Sequence, residues 1–452
     1  MSRGDVVALH LGSGLAQLEL LHAMPLVGAV LLPLNLRLTA PELVHPLRDS
    51  GARLLIHDAS EVALRSCEAL PQFEALELPD GRAPSELARE LPALPFSPDA
   101  QQAPLDLTAP LALLYTSGTT GLAKGALLSH RNFLSSAAAS AALLGNGADD
   151  RWLLCMPLFH VGGLSILLRS VLAGSTAVIH ERFDAEAVAH AIDEEQISIV
   201  SLVPAMLERL LVARGERAAP PQLRCILLGG AAASPGLLER ARELGYPVAP
   251  TYGLTEACSQ VATRPPGRAA ADSTGLHPLP GLGVRIVDEK GAAQPPDAVG
   301  EICVRGPMVM SGYWKRPDAS ASALREGWLH TGDMGELDAG GRLRVLDRRD
   351  DLIVSGGENV YPAEVEAALL DHDAIVEAAV AGVADADFGA RPVAWLVLHE
   401  GAELDAEALR EHCRARLAAY KVPLRFHRVD CLPRNAAGKL LRRELCRSDS
   451  RA

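Results

Sequence analysis

The sequence has no apolar run long enough to cross a bilayer. Its longest, Ala23–Leu34, has 12 residues and is broken by Pro25, Gly28 and Pro33; a spanning helix needs about 20. The N-terminus, M-S-R-G-D-V-V-A-L-H-L, lacks the charged-then-apolar order of a signal peptide. There is no polybasic run to mark a membrane surface, and with a net charge of −13 nothing in the sequence resembles a basic face for nucleic acid. The eight cysteines (Cys67, Cys155, Cys225, Cys258, Cys303, Cys413, Cys431, Cys446) form no C-x-x-C pair. That spacing argues against a zinc site and fits a reduced cytosolic protein with inert, mostly buried thiols. The Walker pattern G-x-x-x-x-G-K-[ST] and the dinucleotide pattern G-x-G-x-x-G are missing too. The reading is a soluble cytoplasmic protein.

What is present is a chain of 452 residues, 48% apolar and 22% charged, enough for roughly three domain-sized units with sizeable cores. Strand and helix patterns alternate: strand Val6–Leu11, helix Leu15–Leu26, strand Ala29–Leu32, helix Thr39–Asp49, strand Ala52–His57. Pro71–Pro104 reads as an irregular connection. The alternation resumes with helix Ser129–Ala142 and runs to the strand Val248–Thr251, with Asp184 expected to cap the helix that follows it. Such alternation predicts parallel sheets with crossover helices. From about Gly281, short strands between Gly, Pro and Asp turns predict a smaller β-rich subdomain. D-R-R-D-D (Asp347–Asp351) reads as a hinge. A terminal α+β unit follows, with helix Pro362–Leu370, strands Ile375–Val383 and Val393–Leu398, and helix Asp405–Leu417. The expected fold class is therefore α/β. A large N-terminal domain of stacked βαβ layers with its β-rich subdomain covers 1–346, a hinge covers 347–351, and a small mobile C-terminal α+β domain covers 352–452.

The stretch that organises the chain is Tyr115–Gly125, Y-T-S-G-T-T-G-L-A-K-G. An apolar strand end leads into four hydroxyls, two glycines and Lys124. A turn this rich in Gly exposes backbone N–H groups, to which hydroxyls and an amine add donors, and such a set suits a polyphosphate. Taken alone it is equally a Ser/Thr/Gly surface turn. T-Y-G-L-T-E-A (Thr251–Ala257) follows a buried strand. There Tyr252 can stack on a flat ring, and Thr255 with Glu256 can hold Mg²⁺ beside phosphates; the plainer reading is a capped helix start. W-L-H-T-G-D puts Asp333 on a tight turn, where a carboxylate suits a vicinal diol or merely caps its own turn. His160 in P-L-F-H-V-G-G and Lys439 in P-R-N-A-A-G-K-L are, each alone, more ordinary as a structural histidine and a solvated lysine. S-G-G-E-N-V-Y-P leads into a helix with Pro362 at its start.

The order of these segments is more specific than any one of them. With D-R-R-D-D-L-I-V-S-G-G-E-N-V-Y-P-A-E-V-E (Asp347–Glu366) they make the whole chain resemble the adenylate-forming acyl- and aryl-CoA synthetases. Within that superfamily it is most similar to the o-succinylbenzoate–CoA ligases of menaquinone biosynthesis. The similarity rests on M-P-L-F-H-V-G-G-L-S-I-L-L-R-S, H-E-R-F-D-A-E, S-L-V-P-A-M-L-E-R-L and L-L-G-G-A-A-A.

The resemblance implies an AMP-forming ligase acting on an aromatic acid, o-succinylbenzoate, with ATP, Mg²⁺ and coenzyme A. Lys439 would bridge the acid and the α-phosphate. Thr116, Ser117, Gly118, Thr119, Thr120, Gly121 and Lys124 would cradle the β- and γ-phosphates. Thr255 would touch the α-phosphate and Glu256 would hold Mg²⁺. Tyr252 and Gly253 would flank adenine, with Gly229, Gly230 and Ala231 along its other side. Asp333, with Arg348 nearby, would bind the ribose. His160 would line the acyl pocket. Asp350 matches the hinge that swings Gly356 and Gly357 to the CoA tunnel. The partners implied are small molecules, with no nucleic acid and no stable membrane insertion, and a homo-oligomer stays open. Other fatty-acyl, benzoate or cinnamate-type ligases and carrier-loading adenylation enzymes share this chemistry. Two departures stand out. The superfamily usually has a few dozen residues ahead of the stretch matching Gly4–Leu9, which predicts a first subdomain short of a strand and a helix, or a start codon placed late. Gly162 stands where the subfamily often has Ser, which alters contacts to the aromatic acid.

Overall fold

The run V-V-A-L-H is buried at all its positions and forms an inner strand, Val6–His10, of a seven-stranded sheet. A strand covered on both faces reads as a continuous apolar run, as this one does. The computed structural model describes residues 2–70, 73–78, 83–88, 106–116, 123–230, 233, 235–266, 275–288, 290–347, 353–399, 401–433 and 442–449. Parallel partners Val30–Pro33 and Leu54–His57 flank Val6–His10. Glu74–Glu77 extends the sheet on one side; Pro110–Thr116, Lys124–Ser129 and Gly312–Tyr313 extend it on the other.

A second seven-stranded sheet runs His277–Pro278, Ser259–Thr263, Val248–Leu254, Cys225–Leu228, Ile199–Leu202, Arg151–Leu154, Thr176–Ile179. The helices His130–Leu144 and Val161–Ala173 pack on one another. Their buried faces join Leu9, Leu31 and Leu114 of the first sheet and Trp152 and Val261 of the second in one apolar core. A further core, with Leu153, Val200, Leu207 and Ile226, covers the second sheet's other face. A small antiparallel sheet follows, Gly283–Val287, Gly300–Arg305, Trp328–Leu337, Leu324–Arg325, with Leu343–Asp347 paired on Trp328–Leu337.

The chain divides into two compact units: Met1–Leu36, Leu47–Tyr115 and Gly125–Asp347 in one, and Arg37–Pro46, Thr116–Lys124 and Arg348–Ala452 in the other. The sheet of the second unit orders Glu358–Val360, Ile353–Ser355, Gly389–Leu398, Ile375–Asp385, with Phe426–Arg428 beside Gly389–Leu398. Val365, Leu369, Leu409 and Phe426 fill one of its cores and Trp395, Leu432 and Leu445 another.

Local signals explain the element ends. Asp184 accepts from the Ala187 N–H at 2.9 Å, capping Ala185–Glu194 as expected. Pro362 opens Pro362–Leu370, where its missing N–H costs nothing. The stretch read as irregular differs in part: it contains the strand Glu74–Glu77 and the helix Pro84–Ala88. E-A-L-E is exposed throughout and sits at the sheet edge, so it has no alternation to betray it. Among the described residues no helix is long and apolar enough to cross a membrane.

Candidate active site

Ile199–Leu202, Cys225–Leu228 and Val248–Leu254 run parallel and end at one edge, where open sheets present ligand crevices. Past Leu228 the chain turns through Gly229 and Gly230. Gly230 has φ 83°, and a Cβ there would lie 2.9 Å from Val203 Cγ1. A Cβ on Gly229 would lie 2.7 Å from Thr251 Cγ2. Backbone this close to its neighbours requires glycine.

The adjacent strand continues through Tyr252, Gly253 and Leu254, then doubles back against Ser259–Thr263 with a register break between Tyr252 and Gly253. A Cβ on Gly253 would meet the Ser259 carbonyl oxygen at 1.9 Å. Thr255–Ala257 makes one 3₁₀ turn, and Cys258 and Ser259 follow at φ 54° and 91°. Non-glycine residues seldom adopt these angles, so backbone strain sits at the exit of the Y-G-L-T-E segment. Burial pushes the Cys258 thiol up to about 12, which makes it an inert packing group.

Two carboxylates flank this strand end, each fixed by a tyrosine. Asp333 Oδ2 accepts from the Tyr252 hydroxyl at 2.6 Å. The Asp333 N–H donates to Thr331 Oγ1 at 3.1 Å, and that hydroxyl donates to the Ile302 carbonyl at 2.7 Å. Glu256 Oε1 accepts from the Tyr313 hydroxyl at 2.8 Å, and its carbonyl accepts from the Met310 N–H at 2.8 Å. Tyr313 itself pairs with Ala126, two residues beyond Lys124. Hydrogen bonds to ionised carboxylates are the strong class, so both acids are held before any ligand arrives. Tyr313 escapes a reading of the sequence, because G-Y-W carries no signal of a partner 57 positions away.

His160 occupies the cap of Val161–Ala173, its carbonyl accepting from Gly163 and Leu164 N–H at 3.1 and 3.0 Å. Its ring lies 4.7 Å from that of Phe159. In the second unit, the Thr116 hydroxyl donates to the Lys124 carbonyl at 3.4 Å across the base of the hydroxyl-rich loop. Gly356 and Gly357 turn between Ile353–Ser355 and Glu358–Val360 at φ 57° and 84°. Ser117, Gly118, Thr119, Thr120, Gly121, Ala231, Arg348, Asp350 and Lys439 lie outside the described residues.

In its described part this edge offers a glycine-lined backbone, a flat ring, a fixed carboxylate suited to a diol, and a second suited to a hard cation. Residues 1–314 match the family model described as AMP-binding enzyme, and residues 364–439 match the AMP-binding enzyme C-terminal domain. A 2-succinylbenzoate–CoA ligase of Geobacillus kaustophilus (strain HTA426) is 46% identical over 449 residues, 99% of this chain and 88% of the relative. The o-succinylbenzoate CoA synthetase of Bacillus subtilis is similar in several solved states. As a double mutant bound with the product analogue OSB-NCoA it aligns with TM-score 0.90 at 40% identity, over 98% of this chain and 89% of that one. In complex with the acyl-adenylate intermediate OSB-AMP the TM-score is 0.71 at 40% identity, over 98% and 88%. With ATP and magnesium ion it is 0.71 at 40% identity, over 98% and 90%.

Proposed function

The chain belongs to the AMP-binding enzyme family, and on that premise we propose that it is an AMP-forming acid–thiol ligase that converts o-succinylbenzoate to its CoA thioester. A carboxylate oxygen of the acid attacks the α-phosphorus of ATP and pyrophosphate leaves, giving the acyl-adenylate. The CoA sulfur then attacks the acyl carbon, its proton is lost, and AMP leaves. Relatives of this name, and a solved relative bound to the acyl-adenylate, support the reading.

The observation that carries it is the pair of tyrosine-fixed carboxylates, Asp333 and Glu256, on either side of the Tyr252–Thr255 strand end. Asp333 would accept from the ribose hydroxyls, and the Tyr252 ring would lie along adenine. Glu256 fits Mg²⁺: one oxygen is anchored on Tyr313, and magnesium takes few protein carboxylates beside phosphate oxygens and water. The ion, when bound, adds positive charge at the phosphates. Gly229, Gly230 and Gly253 let backbone come close to the nucleotide. Thr116, Lys124 and the hydroxyls between them would hold the outer phosphates, and Lys439 would neutralise charge between acid and α-phosphate, where positioning and electrostatics supply most of the rate. His160 would line the acyl pocket. The domain division 1–346 and 352–452, the hinge at Asp350, approach of Gly356 and Gly357 to CoA, and a cytoplasmic location complete the proposal.

ATP–pyrophosphate exchange, with and without o-succinylbenzoate and followed by CoA addition, tests it. Exchange should need the acid, and CoA should yield thioester and AMP. Exchange supported equally by benzoate, cinnamate or a fatty acid would overturn the substrate. Lys439→Ala should abolish exchange yet leave thioester formation from supplied acyl-adenylate; equal loss of both would refute a lysine that serves only the first half-reaction.

A further inference from the structure

Glu301 and Cys303 are two apart on the strand Gly300–Arg305 and so project from one face. Cys303 stands opposite His330 in the antiparallel pairing with Trp328–Leu337. His330 Nδ1 lies 2.9 Å from Glu301 Oε2 and 3.4 Å from Cys303 Sγ. All three ligand-type atoms are within 4.8 Å of one another. Cys303 is fully buried, and the His330 side chain is 6% exposed. The carboxylate is already oriented, because the Gly332 N–H donates to its other oxygen, Oε1, at 2.9 Å.

The three groups over-subscribe one nitrogen. Nδ1 carries either a proton or a lone pair, never both. It can donate to Glu301 or accept from the thiol, so one of the two short contacts always lacks its hydrogen bond. A divalent cation would use all three at once, as thiolate, imidazole and carboxylate. We propose that Glu301, Cys303 and His330 form a binding site for a borderline-soft divalent metal of the Zn²⁺ type, with water as the remaining ligand. Bond lengths of about 2.0–2.3 Å to such donors put them roughly 3.3–3.6 Å apart in a tetrahedron, so the ring nitrogen and the sulfur already stand at that spacing and the carboxylate oxygen has to draw back from the nitrogen by a few tenths of an ångström. The anchored carboxylate is the outer-shell support that such sites use.

The local cations set the affinity. Arg285 faces Cys303 from the neighbouring strand, with its guanidinium 4.3 Å over the Trp328 ring; Arg305 lies 4.6 Å over the same ring. A dication sharing this face is bound less tightly than in a closed structural site. Occupancy would act on the nucleotide edge, because the Glu301 carboxylate also holds Gly332, next to Asp333. The site does not depend on which acid the enzyme activates.

Titrating the full, reduced chain with Co²⁺ tests the proposal, since a cobalt–thiolate bond gives a near-ultraviolet charge-transfer band that carboxylates and imidazoles do not. One equivalent should develop the band. Cys303→Ser should remove it although seven cysteines remain, and Glu301→Gln, which keeps an acceptor for Gly332, should weaken binding at least tenfold. Metal-free melting curves report whether each variant is folded, and Glu301→Gln decides the matter if Cys303→Ser is not. No band up to millimolar Co²⁺, a band that survives Cys303→Ser, or unchanged affinity in folded Glu301→Gln would overturn the proposal.

Discussion

The two glycines after His160 should respond oppositely to the same methyl group. Both lie in the first turn of Val161–Ala173. A Cβ on Gly162 meets nothing within 4 Å, whereas one on Gly163 would lie 2.3 Å from the Pro157 carbonyl oxygen and 2.9 Å from that of Met156. Replacing Gly by Ala in a helix gains up to about 1 kcal/mol, and that gain is common to both sites. The difference in stability between Gly162→Ala and Gly163→Ala is therefore the clash alone. Backbone oxygens cannot rotate away as a side chain can, so overpacking of about 1–3 kcal/mol is expected, with Gly163→Ala the less stable. Relief requires the Met156–Phe159 loop to move by on the order of 1 Å, a misplacement that can cost about 100-fold when a positioning group moves with it. Urea unfolding measures the first effect and acid-dependent pyrophosphate exchange the second. Equal unfolding midpoints would refute the packing argument. A destabilised Gly163→Ala with parental exchange would refute the role given to His160. Gly162→Ser should fold normally, since the serine enters open space.

Tyr313→Phe removes the donor to Glu256; a hydrogen bond to a charged group is worth about 1.5–3 kcal/mol, so the Mg²⁺ needed for half-maximal exchange should rise about tenfold, and an unchanged Mg²⁺ titration would disconnect Tyr313 from the cation. Burial lowers the pKa of His10, His22 and His130 below the usual 6.5, so below that pH the unfolded chain takes up protons the folded chain refuses; urea-measured stability should hold above about pH 7 and fall between pH 7 and 5, by at most ~1.4 kcal/mol per pH unit for each such ring and less for part-buried His22, and a flat profile would contradict the burial.

The residues proposed to touch ligand are legible in the sequence because that chemistry demands particular residue types in a fixed order. The motifs single out Tyr252, Thr255, Glu256 and Asp333, and the second sheet brings Tyr252 on its strand, with Thr255 and Glu256 in the turn just after it, to the kind of edge where parallel sheets present ligand crevices. The parallel architecture is legible for a similar reason: doubly covered strands such as Val6–His10 and Cys225–Leu228 are short apolar runs between helical patterns. Glu74–Glu77 is not, because an exposed edge strand needs only backbone pairing.

What holds the site is not legible, because it depends on register between distant strands. The tie from Tyr252 to Asp333 spans 81 positions, and the one from Tyr313 to Glu256 spans 57. The motif assigns Tyr252 by its ring and says nothing of its hydroxyl, which reaches Asp333. The same blindness explains the thiols. A search for C-x-x-C asks whether one strand or turn supplies two sulfurs. Cys303 instead meets His330 across a strand pair and Glu301 along its own strand. Sequence spacing therefore argues only against metal sites built within one segment, and sites assembled by sheet register must be read from the fold. The Asp333 turn of the proposed nucleotide site and the Glu301–Cys303–His330 group depend on the same register. The strand that carries His330 also carries Asp333, and the Glu301 carboxylate holds the Gly332 N–H between them. A slip of one residue between Gly300–Arg305 and Trp328–Leu337 would turn the side chains to opposite faces and dismantle both.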